Sequence, residues 1–176
     1  VFSFTVGSRL APQESYINKF IHELRRDCIK PASAESSYLF ESHNSLALYT
    51  LQILCFASGH RAVSDPCFDL NCFDLTTNTL LIEDKVVSSS HAARLAWLPP
   101  LAISQLELYL SHLRSLSRLV RAANPVLANQ IWAVTEADSP HPIPLFFFLQ
   151  DRDGDLGWMR IQPSILKSRM SDKWEL

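Results

Sequence analysis

The chain has 176 residues, 47 % of them apolar and 19 % charged, so it can bury a core and lies outside the range of disordered compositions. Four glycines and ten prolines exclude collagen-like and low-complexity classes. A net charge of −2 excludes a globally basic nucleic-acid binder and leaves room for a local basic face.

The longest apolar stretch, Leu46 to Ala57, is interrupted by Gln52 and falls well short of the ~20 residues that a membrane span needs. A cytoplasmic protein without membrane contact is expected. The first residue is Val1, with no charged-then-apolar signal segment after it, and the chain reads as a piece of something longer. Cys28, Cys55, Cys67 and Cys72 form no CxxC pair. Cys28 and Cys55 fall within apolar helical patterns, as expected of buried thiols in a reducing compartment rather than of disulfides or zinc ligands.

Pro12 suits a first helical position, and Ile17, Phe20, Ile21, Leu24 and Cys28 recur at helical spacing until Pro31. A polar loop over Ala32 to Ser37 follows. A second helix is expected from about Ser42 to Ser58, apolar nearly all round and therefore central, with Gly59 closing it in a left-handed conformation. Thr76 to Asn78 reads as a turn, Leu80 to Ile82 as a short strand ending near Lys85, and Ala93 to Leu98 as its antiparallel return. Pro99 and Pro100 open a third helix carrying Leu106, Leu110, Leu113, Leu116, Leu119 and Val120, and Asn124-Pro125 ends it. Ile131 to Val134 is read as a short strand. Leu145 to Leu149 and Trp158 to Ile161 flank Asp153-Gly154 as a hairpin, and Pro163 begins a last short helix.

The expected fold is mainly α with a small antiparallel β-sheet (α+β), built as a single domain over 1–176. Its parts are a peripheral helix and loop over 1–40, core helices and a β-hairpin over 41–123, and a loop, hairpin and short helix over 124–176.

Asp151, Asp153 and Asp155 lack the glycine and glutamate of a calcium loop, whose places are taken by Leu156 and Gln162. The six histidines show no ligand spacing, and no phosphate-binding glycine loop or nucleotide fingerprint occurs, so neither a metal nor a small-molecule cofactor is expected.

What remains is the run A-L-Y-T-L-Q-I-L-C-F-A-S-G-H-R ending at Arg61, then a sheet lysine, Lys85, then R-L-A-W-L-P from Arg94 and a helix. From about Ser42 to Leu113 this order resembles the first half of the tyrosine recombinase (phage integrase) catalytic domain. That family has an apolar helix ending in T-G-x-R, a hairpin bearing a lysine, and a strand reading roughly R-V-P-L-P before the next helix. The resemblance implies cleavage and rejoining of DNA through a 3′-phosphotyrosine intermediate, with Arg61 and Lys85 as catalytic residues and His60, His91 and Arg94 as DNA contacts. Arginine suits the first role because its planar fork matches two non-bridging phosphate oxygens. A lysine on a hairpin can protonate the departing 5′-oxygen.

The sequence departs from the family pattern in having Ser64 where an acidic residue is usual. It also lacks the later H-x-x-R motif and a downstream nucleophile, since its tyrosines are Tyr16, Tyr38, Tyr49 and Tyr109. The chain alone is therefore expected to be inactive and to bind DNA weakly, with other recombinase protomers as partners of the longer protein. Arg114, Arg118 and Arg121 fall at i, i+4 and i+7 and share one helical face that can track a DNA backbone. The competing expectation is a non-catalytic helical interaction module, in which Arg61 only satisfies the carbonyls at its helix terminus.

Overall fold

The structure is a computed structural model that describes residues 5–6, 9–10, 36–59, 68–87, 90–137 and 141–162, with side chains over 42–59, 68–82, 93–137 and 141–162. The expected helices over 12–30 and after Pro163 lie outside the described residues. Thr5–Val6 (β1) and Arg9–Leu10 (β2) form a minimal antiparallel pair.

Helix α1 spans Ser36–Ser58 and begins earlier than expected. Residues 36–41 contain neither glycine nor proline, so nothing local prevents the helix from extending back into the presumed loop. After it, Phe73–Asp74 (β3), Thr79–Val87 (β4) and Ser90–Trp97 (β5) form a three-stranded antiparallel sheet in that order. Asp74 shapes the β3–β4 turn by accepting from the Thr76 and Thr77 amides, and Asn78 takes the left-handed conformation at φ 56°. Three hydrogen bonds to Thr76 and Thr77 hold the Asp74 carboxyl below its ordinary pKa, led by the Thr77 hydroxyl.

Helix α2, Pro100–Val120, carries its leucine stripe into the core as expected. The segment read as a strand at Ile131 to Val134 is instead the end of helix α3, Pro125–Ala133. Asn124 and Pro125, read as a terminator, also start this helix: the Asn124 side chain accepts from Leu127 N, and Pro125 fills the first helical position. Leu127, Ala128, Ile131 and Val134 then fall on one buried face. Phe147–Arg152 (β6) and Asp155–Arg160 (β7) form the expected hairpin, with positive φ at both Asp153 and Gly154 and the Asp151 carboxylate accepting from Gly154 N. Among the described residues the fold is α+β, with three helices and small antiparallel sheets, and no described helix is long and apolar enough to cross a membrane.

The core lies where α1 packs on α2 and β6, and α2 on α3. Polar side chains bridge these layers at fixed points. Gln105 on α2 donates to Thr50 on α1, Ser117 on α2 donates to the Ala128 carbonyl, and buried Tyr109 donates to the Leu145 carbonyl. Asn44 accepts from Leu149 N at 2.7 Å and donates to Leu149 O at 3.0 Å, so its amide acts as one residue of a third strand beside β6.

Replacing Asn44 by alanine leaves a buried N–H and C=O without partners. Denaturant unfolding is expected to show a loss of about 3 kcal/mol, with Asn44→Gln recovering little of it because the amide is displaced. A loss within experimental error of zero would mean that β6 does not depend on this bond pair.

Candidate nucleic-acid interface

Helix α1 ends at Ser58, and Gly59 follows at φ 62° with open space where a Cβ would sit. Glycine is required there by backbone conformation, not by crowding. The terminal carbonyls of α1 are met by Arg94 from β5, whose Nη1 donates to Ser58 O at 2.8 Å and Nη2 to Gly59 O at 3.2 Å. The register explains the reach. Arg94 pairs with Ile82 and Ala96 with Leu80, and Leu80 and Ile82 are buried, so Arg94 lies on the inward face of the hairpin. A guanidinium at a helix C-terminus also meets the negative end of the dipole. Arg94 thus makes at Ser58 and Gly59 the kind of interaction expected of a terminal cap, while Arg61 itself lies outside the described residues.

Lys85 lies in β4 beyond Asp84, where the β4–β5 register shifts before Val87 pairs with Ser90, and His91 lies in β5. The side chains of Lys85 and His91, and all of His60 and Arg61, lie outside the described residues. On the outward face of the same hairpin, Leu81 and Leu95 pair across the strands beside Trp97, leaving Leu95 70 % and Trp97 60 % exposed.

The second basic feature divides in two. Arg114 donates to Thr135 O at 3.5 Å, just past the end of α3. Arg118 and Arg121 instead line an open groove of about 530 Å³ with Asn129 and Trp132 of α3. The arginine spacing was legible on α2, but Asn129 and Trp132 were missed because their segment was read as a strand. The i, i+3 spacing of Asn129 and Trp132 is the signal that a helical reading would have used.

Two other groups are committed to structure. His141 sits with Nδ1 2.7 Å from the Asp69 carboxylate and Nε2 3.0 Å from Glu136 O, so both nitrogens are engaged. Burial lowers its pKa, but the Glu136 carbonyl and the Asp69 carboxylate outweigh that, and the net shift is upward. Tyr49 and Tyr109 are both buried, and Tyr109 already donates its hydroxyl, so neither presents a nucleophile at the surface.

The fold also brings together two histidines whose sequence spacing had suggested no relation. His43 Nε2 lies 3.1 Å from Phe147 O, and its Nδ1 lies 3.1 Å from His112 Nε2. A carbonyl only accepts, so neutral His43 donates from Nε2 and accepts at Nδ1 from His112. His43 must stay unprotonated at Nδ1 for this arrangement, whereas His112 can donate from Nε2 in either form and is held neutral by its burial. Burial, then the neighbouring His112, bring the His43 pKa down to about 3, and burial brings that of His112 to about 4.

Below the ordinary histidine pKa the unfolded chain therefore binds protons that the folded chain refuses. The pair's contribution is complete above about pH 6.5 and is lost as the pH falls toward 4 and then 3, at up to ~2.7 kcal/mol per pH unit while two protons are at stake. His141 acts in the opposite sense, its contribution being present at low pH and lost as the pH rises. Unfolding followed from pH 7 to pH 4 is expected to show a steep acid loss whose slope falls by about one proton in His112→Phe. An unchanged slope would show that this pair does not govern acid stability.

No family model, no curated protein and no solved structure matches this chain.

Proposed function

We propose that this chain is part of a DNA strand-transferring enzyme of the tyrosine recombinase type. In this reading Arg61 and Lys85 address the scissile phosphate, His60 and His91 line the same surface, and Arg94, expected from the resemblance to contact DNA, instead positions that surface through the α1 carbonyls. The observation that supports it best is the attachment of the β4–β5 hairpin to the end of α1 through the Arg94 fork. Chain connectivity keeps the Arg61 Cα within about 7 Å of that of Gly59, whose carbonyl Arg94 holds. Lys85 follows Ile82, the partner of Arg94, by three residues, or about 10 Å of strand. Two long cationic side chains anchored at those points can converge on one phosphodiester.

The chemistry fits the residue types. Attack on a phosphodiester builds negative charge on the non-bridging oxygens, which a guanidinium fork held at a rigid helix end can stabilise by ~3 kcal/mol per well-aimed donor. An ammonium on a hairpin can deliver a proton to the departing 5′-oxygen. Tyr49 and Tyr109 are buried, and Tyr16 and Tyr38 precede Arg61 rather than follow the site as the family's nucleophile does, so the chain by itself is expected to form no covalent adduct with DNA. The activity belongs to a longer protein assembled with further protomers.

A second reading, a protein-interaction module, draws on the exposed Leu81, Leu95 and Trp97 face. The two readings separate on DNA. Binding to a short duplex is expected in the ~10⁻⁴ to 10⁻⁶ M range with a strong salt dependence. Arg61→Ala and Lys85→Ala should each lower the salt slope by about one unit, and Arg61→Lys should not restore full affinity because an ammonium lacks the fork. Unchanged affinity and slope in the double variant would overturn the recombinase reading in favour of the module.

A further inference from the structure

We propose that the groove between α2 and α3 is a binding site for single-stranded nucleic acid. An unpaired base would stack on Trp132, and the adjoining phosphodiester would be held by Arg118 and Arg121. This site uses none of the residues assigned to strand transfer and does not depend on that reading.

The groove is built from two helical pairs at i, i+3 spacing. Arg118 lies in the last turn of α2 and Arg121 is its C-terminal cap residue, still helical in backbone conformation, while Asn129 and Trp132 stand one turn apart on α3. Neighbours at that spacing have Cβ atoms about 5–6 Å apart, so each pair acts as one unit. The Asn124 cap sets the angle between the two helices: its Oδ1 accepts from Leu127 N and its Nδ2 donates to Leu156 O, which ties the α2–α3 turn to β7. The Ser117 bond to Ala128 O locks the helices together beneath the groove. A volume of about 530 Å³ lies within the roughly 300–1,000 Å³ range of small-ligand sites.

Neither Arg118 nor Arg121 has a hydrogen-bond or ion-pair partner among the described residues, and both side chains are exposed. Arg114 adds a third cation one turn away, facing Thr135 O. The described acids nearest in sequence are Glu107, about three turns back along α2, and Glu136, beyond the end of α3. Trp132 is 37 % exposed beside these arginines, so part of its indole is open to a ligand in the groove.

A cationic pair beside an open indole fits a ligand that carries an anion next to an aromatic face. Nucleotides have that form, and base–aromatic stacking with backbone charge is how sequence-tolerant single-strand sites are built. In a duplex the base faces are already stacked and closed to Trp132, so the unpaired strand is the better fit. Asn129 adds an amide whose paired donor and acceptor can meet a base edge.

The test is titration of the whole chain with a labelled short oligothymidylate, followed by anisotropy and by quenching of tryptophan fluorescence, against the same strand annealed to oligoadenylate. The single strand should bind more tightly than the duplex at equal salt. Trp132→Ala should weaken it about tenfold and remove the quenching assigned to Trp132, with Trp132→Phe intermediate. Arg118→Ala with Arg121→Ala should lower the salt slope by about 1.4, for two phosphate contacts on a single strand.

The proposal is overturned if Trp132→Ala binds as the parent does, if the duplex is preferred, or if polyglutamate competes as well as oligothymidylate. Should Trp132→Ala lose its fold by circular dichroism, the arginine pair carries the test, and an unchanged salt slope overturns the proposal. The Arg61→Ala, Lys85→Ala double variant should keep its single-strand affinity, which distinguishes failure of this site from failure of the strand-transfer reading.

Discussion

The Arg94 fork on the Ser58 and Gly59 carbonyls is the contact on which the functional reading of this molecule depends. It solves a local problem first. A helix C-terminus leaves carbonyls without partners, and at the end of α1 one side chain of the sheet meets two of them. The solution has a wider consequence, because it fixes a mobile class of element, a β-hairpin, to the end of the most central helix. The end of α1 at Gly59 and the strand bearing Lys85 are then held on one side of the molecule. Arg94 is inward-facing through a register that buries Leu80 and Ile82, so core packing and the reach of Arg94 to the end of α1 are set by the same strand pairing.

Helix α1 holds that position because polar ties fix it at several heights. Asn44 completes the edge of β6, His43 joins Phe147 and His112, and Thr50 receives Gln105. An all-apolar helix could rotate or slide in a core of leucines with little penalty. Each of these buried or half-buried polar groups finds its partner in only one register, and leaving it unpaired is expensive. The cost of this specificity appears on acidification, since a core that depends on neutral histidines loses stability where those rings would charge in the unfolded chain.

Much of this was legible before any coordinates. The α2 stripe, the Asp153-Gly154 hairpin and the left-handed Gly59 follow from local rules, and the structure keeps all three. The start of α1 was not legible because residues 36–41 carry no stop signal in either direction. Helix α3 was missed for a different reason: Asn124-Pro125 reads equally as the end of one helix and the start of the next, and four apolar residues do not distinguish a strand from a helical turn. That single misreading hid Asn129 and Trp132, and with them the groove. The His43–His112 contact joins residues far apart in the chain and leaves no spacing signature. The second role of Arg94 was hidden likewise, since only strand register shows which way it faces.

The central claim is that the end of α1 and the β4–β5 hairpin form one phosphate-binding platform, with Arg94 positioning Arg61. A double-mutant cycle on duplex affinity, combining Arg94→Met with Arg61→Ala, measures this directly. The account predicts that Arg94→Met weakens binding in the parent but adds little once Arg61 is gone, a coupling of about 1 kcal/mol or more. Additive losses would make Arg94 an independent DNA contact, and no loss on replacing Arg94 would contradict the platform itself.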